Sequence, residues 1–168
     1  MSVFEPIFET LNAAGIRYVV VGGLATVLHG YARLTADVDL AVDLAPEEAI
    51  KMIRALTTKG YRPQVPVLPE EFANPATRKT WLAEKNMRAF SLVDQANPMR
   101  VVDLLLQPEV PFDELFAGSE EVLLNKTPVR IASLDHLISL KRQAGRPQDL
   151  ADIEQLQAIR KKGKGTLT

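Results

Sequence analysis

The sequence contains no cysteine, which excludes disulfides, thiolate metal sites and cysteine nucleophiles. It has only two histidines, too few for the multi-histidine shells that hold zinc. No apolar run approaches the ~18–20 residues of a membrane span. The N-terminus has neither the basic stretch nor the apolar core of a secretory signal, so a cytoplasmic location is expected. Excess charge is also missing. Twenty Lys and Arg against 21 Asp and Glu leave a net charge of −1, which gives no bulk attraction to nucleic acid but leaves a local basic patch open. The remaining composition, 46% hydrophobic and 24% charged over 168 residues, suits one globular domain with a substantial core and room for a small helical appendage.

Apolar spacing predicts a helix over 3–13, ended by Gly15. Ile16 to Val21 reads as a short strand covered on both faces. A short helix starts at Gly22-Gly23, and a second strand runs from Asp37 to Leu44. Pro46, Glu47 and Glu48 suit the first turn of a helix that Gly60 closes. Tyr61 to Val67 carries Pro63 and Pro66, which cannot donate to a ladder, so it is expected at a sheet edge. Residues 68–86 suggest loop with a short helix near 78–83, as either lid or scaffold. Two strands, 87–93 and 100–106, flank turn-forming Asp94-Gln95-Ala96-Asn97-Pro98, and a smaller hairpin surrounds Asn125-Lys126-Thr127. Ser133 caps a helix to Gln143, Gly145 interrupts, and Pro147 opens a last helix to about Lys161, beyond which the chain is expected to fray.

The chemistry concentrates in one stretch. An apolar strand enters Gly22-Gly23, where backbone amides approach phosphate oxygens with no Cβ in the way. The chain then returns as a strand bearing Asp37 and Asp39, which alternation places on one face. Paired carboxylates repel unless a cation sits between them, and hard oxygen donors suit Mg²⁺ or Mn²⁺. Asp103 stands alone in the otherwise apolar run Val101 to Leu106. A lone charge there is costly unless it is paired or metal-bound. The expectation is that it lies beside Asp37 and Asp39. A partner such as Arg88 or Arg100 is the alternative, and Asp43, on the same face, reads as a helix cap.

The set Gly22-Gly23, His29-Gly30, Arg33-x-Thr35, Asp37-x-Asp39 and a later strand Asp103 resembles the nucleotidyltransferase superfamily typified by DNA polymerase β. Within it, the chain looks like the minimal bacterial nucleotidyltransferases, which include the AbiEii-like toxins and the small antibiotic nucleotidyltransferases. The tail, Asp135 to Lys141 followed by Gly145 to Ile153, resembles their helical ends. Ala36 and Gly23 stand where many members carry Ser, so hydrogen bonds from those hydroxyls are absent here.

The resemblance implies that Asp37, Asp39 and Asp103 hold two divalent ions, Mg²⁺ or Mn²⁺, with Asp103 accepting the acceptor's proton. Gly22 and Gly23 would face the β- and γ-phosphates. Arg33 would clamp phosphate, and Lys141 and Arg146 would assist. The plainer readings make Arg33 a surface residue, pair Lys141 and Arg146 with Asp149 and Asp152, and make Trp81 a packing residue. In the same way, His29 would only end a helix. Arg160, Lys161, Lys162 and Lys164 form either a solvated helix end or an RNA-contacting tail.

The expected fold is α+β: a mixed, largely antiparallel sheet of four to six strands, helices on one side, and a C-terminal helical pair near the site. Residues 1–132 would be the catalytic domain, 133–162 the helical extension and 163–168 a flexible tail. The expected activity is transfer of a nucleoside monophosphate from an NTP to a hydroxyl. The acceptor is tRNA, a small hydroxylated molecule or a protein side chain, since fold does not fix it. A catalytically silent module, for instance one paired with an antitoxin, and a metal-dependent phosphohydrolase are the rivals.

Overall fold

Period-two burial in two strands fixes the architecture. In β2 (Asp37–Val42) and β5 (Val101–Leu105), Val38, Leu40, Val102 and Leu104 are fully buried, while Asp37, Asp39 and Asp103 on the other face are half-buried. A computed structural model describes residues 3–165. The remaining elements are α1 (Glu5–Ala13), β1 (Tyr18–Val21), α2 (Gly22–Leu28), α3 (Pro46–Thr58), β3 (Tyr61–Pro63), α4 (Pro75–Lys85), β4 (Ala89–Asp94), α5 (Phe112–Ala117), β6 (Glu120–Leu124), β7 (Thr127–Ile131), α6 (Leu134–Ala144) and α7 (Pro147–Gly165). A 3₁₀ turn covers Pro69–Ala73.

The seven strands form one mixed sheet in the order β3-β4-β5-β2-β1-β7-β6. Only the β2–β5 and β1–β7 pairs are parallel. The sheet is therefore mainly antiparallel, as expected, but larger than the four to six strands anticipated. The β6–β7 hairpin joins β1 through a short parallel seam at Val20 and Ile131, which no local sequence pattern encodes. Asn125 takes the positive φ its two-residue turn needs.

Segment 68–86 is scaffold. Asn74 Oδ1 accepts from the amides of Ala76 and Thr77, and Pro75 occupies the first turn, so α4 begins well before residue 78. Phe72 and Trp81 stack on Phe90, with ring centroids 5.3 and 5.1 Å away, on the sheet face opposite the carboxylates. Trp81 is thus a packing residue. Buried Arg78 donates to the carbonyls of Phe72 and Leu44 at 2.5 and 2.8 Å and lies over the Phe72 ring. Arg78→Met leaves both carbonyls unpaired and is expected to cost about 2–3 kcal/mol. Thermal unfolding should then show a drop in Tm of roughly 5–10 °C.

Ser133 caps α6 through the amide of His136, and Gly145, at positive φ, ends it. The last helix runs to Gly165, beyond the expected Lys161. The far end of the anticipated tail, 166–168, lies outside the described residues. Arg160 pairs with Asp135, while Lys161 and Lys162 are exposed. His29 is tied by Nε2 to the carbonyl of Ala132, which fastens the end of α2 to the start of α6. No helix among the described residues is long and apolar enough to cross a membrane.

Candidate active site

The site is built where β1 turns into α2. Val21 pairs with Asp39, and Asp39 in turn stands level with Asp103 across the parallel β2–β5 pair. Gly22 follows with φ +67°. A Cβ there would lie 2.2 Å from Asp39 Oδ2, so only glycine lets this carboxylate rest against the turn. Gly23 serves a different neighbour. Its Cβ would meet Thr35 Oγ1 at 2.8 Å and Arg33 Nη2 at 3.1 Å.

A cavity of about 600 Å³ opens here. Gly22, Asp39 and Asp103 form its floor, Arg88 and Glu109 belong to one wall, and α6 and α7 provide the other through Leu140, Lys141, Arg146 and Asp149. Asp37 is not part of this lining, but it is close enough for the charge of Asp103, after burial, to raise its pKa. Burial, then repulsion from Asp103 and Asp37, lifts Asp39 from 3.8 to about 7. The nearest cations do not neutralise these acids directly. Lys141 and Arg33 bind Asp152, Arg146 binds Asp149, and Arg100 binds Asp94. The pairing of Asp103 with Arg100 anticipated as an alternative is therefore not formed.

Ser91 was not legible from the sequence. It stands opposite Asp103 on β4 and donates a 2.5 Å hydrogen bond to Asp103 Oδ1. Only the strand register brings the two together. Asp43 meets the expectation of a cap in part: Oδ1 accepts from the amide of Ala45 just ahead of α3, and Oδ2 pairs with Arg17 at 2.5 Å.

The phosphate-binding expectations divide. Lys141 and Arg146 line the cavity, and the charge of Lys141 reaches Asp39, yet both also make the helix ion pairs of the plainer reading. Arg146 grips Asp149 through Nε at 2.7 Å and Nη2 at 3.2 Å, which raises its pKa and holds the Asp149 carboxyl below its usual range. Neither Arg33 nor Gly23 is in the lining; Arg33 lies behind the turn and donates from Nη2 to Asp152 at 3.1 Å.

The donor set fits a hard divalent cation. Asp37 and Asp39, with Asp103 beside them, supply oxygens alone, and Gly22, lacking a Cβ, leaves room for the Asp39 carboxylate. Among the described residues no three acidic or imidazole groups close into a ready-made metal shell. An ion here needs further oxygens, which Mg²⁺ ordinarily takes from water and substrate phosphates.

No family model and no curated protein matches this sequence. Solved structures with a similar fold do exist. The lincosamide antibiotic adenylyltransferase LnuA, lincomycin-bound, aligns with a TM-score of 0.62 at 16% identity, over 95% of this chain and 98% of that one. The enzyme ANT(2″)-Ia in complex with adenylyl-2″-tobramycin gives 0.56 at 14%, over 96% and 95%. An antigenic nucleotidyltransferase-like protein from Paracoccidioides brasiliensis gives 0.55 at 17%, over 94% and 73%. At such identities the likeness is one of fold, and the fold is nucleotidyltransferase-like.

Proposed function

We propose that this chain is a nucleotidyltransferase that moves a nucleoside monophosphate from an NTP to a hydroxyl of a small acceptor molecule. The observation that carries the reading is the level placement of Asp39 and Asp103 on adjacent parallel strands, in a cavity shared with Gly22 and Lys141. Asp37, Asp39 and Asp103 would hold Mg²⁺ or Mn²⁺, which when bound neutralises triphosphate charge and makes a nearby hydroxyl more acidic.

The residues of the chain do the rest. Lys141 and Arg146 present positive charge to the triphosphate from the helical wall, and Gly22 lets the phosphates approach the turn. Asp103, held by Ser91, takes the acceptor's proton. The acceptor oxygen bonds to the α-phosphorus, the bond from α-phosphorus to the bridging oxygen breaks, and pyrophosphate leaves. Residues 1–132 then act as the catalytic unit and 133–162 as the extension that closes the cavity. An NTP substrate is in keeping with a cytoplasmic setting.

A small acceptor is favoured over tRNA by the balanced net charge and by the antibiotics in the names of the two most similar folds described above. The test is product analysis with α-labelled NTPs, Mg²⁺ and a panel of hydroxylated aminoglycosides and lincosamides. Labelled acceptor plus pyrophosphate is expected, with Asp103→Asn slower by roughly 10²–10⁴-fold. Release of free labelled nucleotide alone would identify a phosphohydrolase instead.

A further inference from the structure

Asp152 lies in the second turn of α7 and is fully buried. Its Oδ2 accepts from Lys141 Nζ at 2.9 Å and from Arg33 Nη2 at 3.1 Å, and its Oδ1 accepts from Gln148 Nε2 at 2.9 Å. Lys141 and Arg33 thus share one carboxylate. Lys141 is itself 4% exposed, so its charge is poorly screened by water, and it reaches Asp39 and Asp149 as well as Asp152. The two cations come to Asp152 from different parts of the fold. Lys141 lines the cavity beside Asp39, whereas Arg33 lies against Gly23, and its buried Nε–H has no acceptor. Asp152 is therefore the point at which the C-terminal helices are tied to the glycine turn, across 119 residues of chain.

We propose that Asp152 is a positioning residue for nucleotide binding: by holding Lys141 and Arg33 on one buried carboxylate, it fixes the ammonium of Lys141 at the distance from Gly22 that the triphosphate requires. This inference rests on the nucleotidyltransferase reading of the site. It adds to that reading a buried residue that sets where the Lys141 charge sits. Without Asp152 the same cation would have many rotamers available, and each would have to be given up when the nucleotide binds.

The test is calorimetric titration of Mg²⁺ and the non-hydrolysable analogue α,β-methylene-ATP into the full chain, with Tm measured on the same samples. The wild type is expected to bind. Asp152→Asn, which keeps an oxygen acceptor but loses the charge, is expected to bind about tenfold or more weakly, the scale of one charged hydrogen bond. Gln148→Met, which removes only the third contact of Asp152, is expected to bind like the wild type.

Because Asp152→Asn removes the counter-charge of buried Lys141 and of partly exposed Arg33 and can unfold the chain, the apolar pair Lys141→Met with Asp152→Leu gives a second measurement. Its affinity is expected to match that of Lys141→Met alone, since Asp152 acts through Lys141. Folded Asp152→Asn with wild-type affinity would overturn the proposal, as would a Lys141→Met, Asp152→Leu chain that binds markedly more weakly than Lys141→Met. Failure of the wild type itself to bind Mg²⁺ and the analogue would sink the reading of the site on which the proposal depends.

Discussion

Asp39→Asn is expected to melt above the wild-type chain at pH 8 without metal, and to transfer no nucleotide. In the wild type, burial and the neighbouring Asp103 and Asp37 move the Asp39 carboxyl from 3.8 to about 7. A carboxyl raised on folding penalises the folded state wherever it must ionise. Below the unfolded value it is protonated in both states and the penalty is absent. The penalty grows through the interval from 3.8 to about 7 and is complete above it.

The neutral amide avoids this penalty, which amounts to about 2–4 kcal/mol at roughly 1.4 kcal/mol per pKa unit. The expected gain in Tm at pH 8 is about 5–10 °C, shrinking to nothing near pH 4. Calorimetric melts at pH 4, 6 and 8 measure it directly. Mg²⁺ should reverse the comparison, raising the Tm of the wild type and leaving that of Asp39→Asn unmoved. Equal melting of the two chains at pH 8 would mean that the three acids do not crowd one another.

Gly22→Ala is expected to damage both folding and transfer, more than a methyl group added at any other glycine whose surroundings are described. Two costs coincide there. Positive φ costs an L-residue about 1 kcal/mol. The new Cβ would also fall 2.2 Å from Asp39 Oδ2 and 3.0 Å from Asp39 Cβ, so the strand as well as the carboxylate must shift. A combined loss of about 3 kcal/mol is expected, with transfer reduced by roughly 10³-fold on the proposed reading, because the Asp39 carboxylate is displaced.

Gly15→Ala is the internal control. Its φ of +68° matches that of Gly22, but nothing lies within 4 Å of the added Cβ, so it should lose only about 1 kcal/mol and keep its activity. Gly23→Ala falls between the two, since the atoms it presses, Thr35 Oγ1 and Arg33 Nη2, end movable side chains. Denaturant melts and initial rates on the three variants test the order. Equal losses at positions 15 and 22 would remove the close approach of Asp39 from the account.

The acids were legible because strand alternation is local: Asp37-x-Asp39 shares a face whatever the rest of the chain does, and Asp103 interrupts an apolar run. Both hairpins, the Ser133 cap and the break at Gly145 were legible for the same reason. What escaped depends on distant pairing. Ser91 meets Asp103 only through β4–β5 register, and Arg33 meets Asp152 only once α7 has folded back on the glycine turn. The start of α4 was missed despite a visible signal, Asn74-Pro75, because its buried face includes Arg78, a charged residue that periodicity reads as solvent-facing. The size of the sheet was underestimated because the β1–β7 seam, which adds the β6–β7 hairpin to the sheet, leaves no local trace.

The two outermost strands also bear on how the molecule behaves in a crowded solution. At one border β3 is short and contains Pro63, with Pro66 just beyond, so it offers few free amides to an incoming chain. At the other, β6 opens with exposed Glu120 and Glu121, charged side chains of the kind that blunt an edge strand. Strand-to-strand stacking into fibres is thereby discouraged at both rims, which lets the open carboxylate face stay accessible at high protein concentration.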